Sequence, residues 1–340
     1  MKNIVFLMIF LSVAIFSHAT IHHVDINANR PAGYFGNLPA AINAASAGDT
    51  LFIYPSNISY GNITLTKRLH LFGFGFDGTT HGVSYITTIT FDTTTSPNSS
   101  SSGSSVYGLT IDYLNSSKSN INNIVLAGNF FRYGQVQVST NSSGWVIKNN
   151  LISTSIDVNN AINVLISNNI FEQSHGIYSS NSSTVSILNN LFFSWYYFYN
   201  VFNATVSNNI FLCVADQNQN YMSNNVFTNN LSYRSATELF NLPPTGNTGA
   251  GNISNTNPLF VSGSTSGGFD RTKDYHLSAS SPAKNAGTDG TDIGPYGGTN
   301  PFVWGGAITI PQITEMVITN PVVNQGTNIT VKVKAKKADL

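Results

Sequence analysis

Charge is scarce in this chain: Lys, Arg, Asp and Glu together make up 9% of 340 residues, with 15 of each sign and a net charge of zero. A face that binds nucleic acid needs clustered Lys and Arg, so nucleic acid is excluded as a partner. Cysteine is scarcer still. Cys213 stands alone, which rules out an intramolecular disulfide, and its place beside the Asn209 motif reads as a packed thiol. Long apolar runs are missing beyond residues 4–16, which follow Lys2 and precede Ser17, His18 and Ala19. That run is too short to span a bilayer, and the small residues after it suit signal peptidase. Residues 1–19 are therefore expected to be a signal peptide, with an exported mature chain that carries no transmembrane segment and no cysteine at its start to accept a lipid.

What is abundant is asparagine, and it recurs. The segments A-G-N-F-F at 127–131, K-N-N-L-I at 148–152, S-N-N-I-F at 167–171, L-N-N-L-F at 188–192 and S-N-N-I-F at 207–211 place Asn129, Asn150, Asn169, Asn190 and Asn209 at intervals of 21, 19, 21 and 19 residues. A period of this size belongs to a solenoid, in which each repeat is one coil. Five and three places before each of these Asn stand Ile124/Leu126, Trp145/Ile147, Val164/Ile166, Val185/Ile187 and Ala204/Val206, with more mixed positions between. That is the period of two that marks a strand. Two places after each Asn stand Phe131, Ile152, Phe171, Phe192 and Phe211, so a second strand follows a bend. Stacked at roughly 4.8 Å per coil, these columns become apolar ladders, and each Asn amide can bond its counterpart in the next coil. Asn also tolerates the left-handed backbone angles a bend requires. One column, Phe130, Leu151, Ile170, Leu191 and Ile210, is apolar where alternation predicts an outward direction. Either the bend turns it inward, another segment such as the region after Asn241 covers it, or it is a partner-binding stripe.

With these repeats the chain resembles the right-handed parallel β-helix superfamily, the fold of pectate lyases and polygalacturonases, over residues 34–298. The resemblance extends to N-L-P-A-A-I-N-A-A-S-A-G-D-T-L-F-I at 37–53, which is similar to the superfamily's opening segment. There Leu38, Ile42 and Ala45 fall on one helical face, Asn37 can cap the start and Gly48 can end it, giving a short helix over the open first coil. Early coils follow at 63–65, 69–71, 89–91 and 109–111, and D-Y-H-L-S-A-S-S-P-A-K-N-A-G-T-D-G-T-D-I-G-P-Y-G-G at 274–298 resembles a closing segment of such proteins. The expected fold is all-β: a right-handed parallel β-helix over residues 20–300, with an N-terminal cap at 34–50 and an irregular closing segment at 241–300. Residues 96–105 and 241–273, rich in Ser, Gly, Pro, Asn and Thr, are expected to bulge from its wall. In the tail, 301–340, strand-like runs at 313–318 and 328–333 predict a hairpin or the opening strands of a further module.

Chemistry is expected on outward columns. Asp92 follows I-T-F as Asp112 follows L-T-I, twenty residues later, which predicts one column on adjacent coils, with Lys148 in the same column two coils on. Two carboxylates that close repel unless a cation or a raised pKa relieves them, so these three are the catalytic candidates. Asp after an apolar strand residue also starts turns. Arg132 and Glu172 share another column, roughly 10 Å apart and too distant to pair. His175 lacks a partner, and Asp157 and Asp216 lie about three coils apart. Gln135, Gln137, Asp157, Tyr178, Tyr197 and Tyr199, with Trp195 nearby, stand before successive apolar strands. Planar amides mixed with aromatic rings suit sugars, whose apolar faces are edged with hydroxyls.

The function this supports is a secreted or cell-surface protein that associates with carbohydrate without catalysis and needs no cofactor, its partner a polysaccharide or cell-surface glycan. The alternative is a lyase or hydrolase of acidic polysaccharide, for which the family resemblance implies Ca²⁺ or a cation beside the uronate carboxylate and an Arg or Lys base. The acidic doublets of polygalacturonases and the pectate lyase Arg-and-Pro signature are missing. A structural or adhesive exoprotein is the third reading.

Overall fold

The structure is a computed structural model that describes residues 19–94, 100–116, 118–173, 176–180, 182–193, 198–212, 222–234, 246–306, 312–318 and 329–336. Expectations for the signal peptide, His175, Trp195, Tyr197, Cys213 and Asp216 concern residues outside that set. Within it the chain is a right-handed parallel β-helix built from one sheet of 11 strands and one of 13. Each coil contributes a strand to the first sheet, turns at its Asn, and contributes to the second. Leu126, Ile147, Ile166, Ile187 and Val206 lie side by side in register and face the interior, all fully buried. The second predicted ladder is present too: Phe131, Ile152, Phe171, Phe192 and Phe211 pair in sequence, and the Phe171, Phe192 and Phe211 rings stack at 4.5 and 4.9 Å.

The asparagines divide the work of the bend. The second Asn of each doublet points inward. Asn150 Oδ1 accepts from Asn129 N, and its Nδ2 donates to Leu126 O and to Asn169 Oδ1. The pattern repeats through Asn169, Asn190 and Asn209 and runs on to Asn230 and Asn252. The left-handed residue, however, is the one before it: Asn149, Asn168, Asn189, Asn208 and Asn229 have φ between 49° and 59°, and Gly128 and Gly108 serve the earlier coils. A second, shorter ladder at another corner joins Asn225 and Asn247.

At the N-terminal end the helix Leu38–Ala44 buries Leu38, Ala41 and Ile42 against the first coil, and the Asn37 side chain accepts from Ala40 N. It stops before Gly48 because Ala45 is already extended, and Gly48 takes φ 98° in the turn that follows.

Of the segment 241–273 expected to bulge, the residues described from 246 onward pack on the solenoid instead. Thr248–Ala250 adds a rung to the first sheet beside Val226–Thr228, and residues 258–306 then fold back along the outside of the solenoid as a strap. The strap covers Leu151, Ile170, Leu191 and Ile210 with Tyr275, Leu277, Ile293 and Phe302, so the outward apolar column becomes a second core. Asn168, Asn189, Asn208 and Asn229, each the first Asn of its doublet, fasten it. Asn168 Nδ2 donates to Pro295 O and Gly297 O at 2.9 and 2.8 Å, Asn189 Nδ2 to Gly294 O at 3.3 Å, and Asn229 Nδ2 to Ala286 O at 2.8 Å. At its far end a Cβ on Gly306 would overlap the Gly128 carbonyl, so only glycine fits that approach. Gln312–Ile318 and Val331–Lys336 form the antiparallel hairpin anticipated in the tail. No helix among the described residues is long and apolar enough to cross a membrane.

Candidate functional site

The 13-stranded sheet is where the chain changes shape. Tyr85–Phe91 and Thr110–Ser116 are unbroken seven-residue strands lying side by side. In the next coil the strand divides. Phe130–Phe131 continues beside Thr110 and Ile111, Val136–Gln137 continues beside Leu114, and residues 132–135 bend between the two. Later coils repeat the division, so the sheet becomes two arms that meet at a crease.

The strap sits on the first arm; the second is bare among the described residues. On it Gln137, Asp157 and Tyr178 are direct neighbours in register, and Tyr199 holds the next position. The predicted sugar-facing column is therefore continuous at about 4.8 Å per step, and the same register carries it back to Asn115, Thr90 and Thr64. Gln137, Asp157 and Tyr178 are half-buried, whereas Gln135 is exposed at the crease. Asp157 is the unusual member. Its Oδ1 is buried without a hydrogen-bond partner, and burial pushes its carboxyl above the usual carboxylate range.

The crease itself carries Asp112, Arg132, Ser153 and Glu172 on successive coils. Tyr85 Oη donates to Asp112 Oδ2, and that bond, together with burial, raises the Tyr85 phenol. Asp112 Oδ1 lies 3.4 Å from Arg132 Nε without a hydrogen bond, and Arg132 Nη2 donates to Tyr133 Oη at 2.6 Å. Arg132 keeps 31% of its side-chain surface exposed. Two coils on, Glu172 is gripped from outside: Arg271 of the strap donates Nε to Oε2 at 2.8 Å and Nη2 to Oε1, and Ser153 Oγ donates to Oε1 as well. Arg132 and Glu172 are thus unpaired with each other, as their spacing implied, because each has its own partner. Sequence reasoning missed Tyr85 and Arg271. Tyr85 lies 27 residues from Asp112 and Arg271 lies 99 residues from Glu172, and no repeat relates either to its partner.

The expected trio of Asp92, Asp112 and Lys148 does not converge. The early coil is 25 residues long, not twenty: Tyr85 pairs with Thr110 and Phe91 with Ser116, so Asp92 lies beyond Ser116 while Asp112 sits beside Thr87. Asp92 Oδ1 accepts from Thr93 N at 2.6 Å, the turn-starting role open to such a residue. Lys148 belongs to the other sheet, beside Ala127 and Ser167, with Nζ 3.4 Å from Asn300 Oδ1. Nor do any three His, Cys, Asp or Glu side chains among the described residues form a group that could hold a metal ion.

No family model matches this chain, and no curated protein does. Among solved structures, the crystal structure of pectate lyase Pel9A is similar over 82% of this chain and 96% of that one, at 15% sequence identity and a TM-score of 0.39. It is the coil-by-coil register of its own strands that makes this chain a parallel β-helix.

Proposed function

We propose that this is an exported carbohydrate-binding protein that holds a polysaccharide along the bare arm, with Gln137, Asp157 and Tyr178 as its central contacts, Gln135 at the crease, and Tyr199 at the next register position. The observation that carries this reading is the continuous outward column of amide, carboxylate and phenol in direct register. Its repeat along the solenoid suits a linear polymer better than a compact ligand, and the groups suit sugar hydroxyls and ring faces. The apolar leader at 1–19 supplies the route to the cell exterior. Affinity electrophoresis through gels containing a panel of polysaccharides tests the proposal. Retention of the mature chain that falls about tenfold in Tyr178→Ala and in Gln137→Ala supports it; unchanged retention in both variants, or no retention on any polymer, rejects it.

One observation favours catalysis as a second reading. Asp157 is a carboxyl whose raised pKa suits proton exchange, on the same face as the half-exposed Arg132. On this reading the substrate is an acidic polysaccharide, with Arg132 beside its carboxylate and Asp112 holding Arg132 in place. Incubation with uronate-rich polymers, following ultraviolet absorbance and reducing ends, separates the cases. New absorbance means a lyase, reducing ends alone mean a hydrolase, and silence leaves binding without turnover.

A further inference from the structure

The first coils of the 11-stranded sheet carry on their outer face a group of rings that the crease does not use. Register sets His23, Phe52, Phe72 and Tyr107 side by side on successive strands. Neighbouring planes are close to parallel: 24° at 6.0 Å for His23 and Phe52, 22° at 5.7 Å for Phe52 and Phe72, and 20° at 4.8 Å for Phe72 and Tyr107. A second row stands beside the first. Tyr54 lies 5.2 Å from Phe74 and 5.3 Å from Tyr34, which itself stacks on His23 at 4.7 Å. Every one of these side chains is half-buried.

The spacing decides what the rings offer. Aromatic carbons touch at about 3.5–4 Å, so near-parallel rings with centroids this far apart are slid across one another by roughly 3–5 Å. They overlap as roof tiles do, and each leaves part of its π face open. One edge of the array is polar: Tyr54 Oη lies 3.3 Å from His23 Nδ1 and 3.3 Å from Tyr34 Oη. Burial, followed by the bond to Tyr34, pushes the Tyr54 phenol up to about 12, so its hydroxyl stays protonated at neutral pH. Neither row includes a Lys, Arg, Asp or Glu. The matching ligand presents uncharged, flat CH faces bordered by hydroxyls, which is the chemistry of a pyranose ring. From His23 to Tyr107 the row spans three strand steps, roughly 15 Å, long enough for consecutive sugars.

We infer that this face is a second glycan platform, which takes a neutral polysaccharide by ring stacking along the solenoid axis. It lies on a different sheet from Gln137, Asp157 and Tyr178, so either surface can fail without the other. The test is affinity electrophoresis of the mature full chain through gels of neutral β-glucan, xylan and glucomannan, with sedimentation velocity in parallel. Phe72→Ala combined with Tyr107→Ala weakens retention on at least one neutral polymer by about tenfold or more. Should the double variant melt early, Tyr54→Phe decides by the same gels: it keeps the ring, loses the hydroxyl and lowers retention about threefold. Equal retention of wild type and variants overturns the inference. So does a failure of the wild type to bind any neutral polymer, or a dimer that the double variant abolishes, which would make the face a contact between copies.

Discussion

Adjacent asparagines in one doublet have opposite duties, and substitution should separate them. Asn169 is fully buried and makes four ladder bonds, accepting from Asn150 N and Nδ2 and donating to Ile147 O and Asn190 Oδ1. Asn169→Ala strands several buried partners, so a loss of about 3 kcal/mol is expected in a denaturant titration. Asn168→Gly keeps the left-handed backbone and loses only the two bonds to the strap, and about 1 kcal/mol is expected. The doublets were legible in the sequence, but not which member turned the chain, since Asn suits both the left-handed angle and the ladder. Asp157 is a different case: its type was legible and its burial was not. An unfolded Asp ionises near 3.8, whereas burial raises the folded value. Below both values the group is neutral in either state. As pH rises past the unfolded value the unfolded chain releases its proton first, so folding loses stability until the folded value is passed, and the penalty is constant thereafter. Asp157→Asn should therefore raise Tm at about pH 7 and leave it unchanged near pH 3, as read by thermal melts at both.

At the scale of elements, the strap decides which polar groups on the crease are free. Glu172 is 5% exposed at its side chain, and its charge is matched by Arg271, whose guanidinium also lies 4.3 Å over the Phe130 ring. Removing one partner of a buried pair leaves an uncompensated charge and costs about 3–5 kcal/mol, more than the pair itself contributes. Arg271→Met should therefore loosen the strap, seen as faster proteolytic cutting between residues 258 and 306, and Arg271→Met with Glu172→Gln should recover much of the protection. The bare arm needs no such cover. Its column could be found from the sequence because Gln137, Asp157 and Tyr178 follow the coil period, with each strand beginning at Val136, Ile156 or Ile177. The alignment of Asp92 with Asp112 failed where the period itself failed, at the 25-residue coil before the strand divides, and Lys148 failed because its strand lies in the other sheet. Repeat-based reading works only while the coils keep their length.

Over the whole molecule, the strap converts a stack of neighbour-only contacts into a tied bundle. In a plain solenoid each coil touches only the next, so stability is a sum of local terms and the ends can fray separately. Here Ile253 pairs with Leu231 near one end, Thr288 meets Asn208 and Gly297 meets Asn168 along the middle, and Gly305 O accepts from Phe76 N at 2.6 Å near the other. Coils separated by well over 100 residues of chain therefore share one cover. The apolar column had announced the need for a cover, because Leu151, Ile170, Leu191 and Ile210 faced outward by alternation, but nothing in the irregular residues after Asn241 disclosed its path. The strap also accounts for a solenoid with so little charge remaining free of a long exposed apolar stripe on that side. Replacing Gly306, where a side chain would strike the Gly128 carbonyl, should lift the N-terminal end of the cover while leaving its other fastenings in place. We expect Gly306→Val to change one cooperative thermal transition into two, the earlier one reporting coils before Asn150, when melting is followed by far-ultraviolet circular dichroism together with hydrogen exchange of the Leu126 and Ile187 amides. A single transition, lowered equally at both amides, would mean that the interior ladders alone already couple the coils.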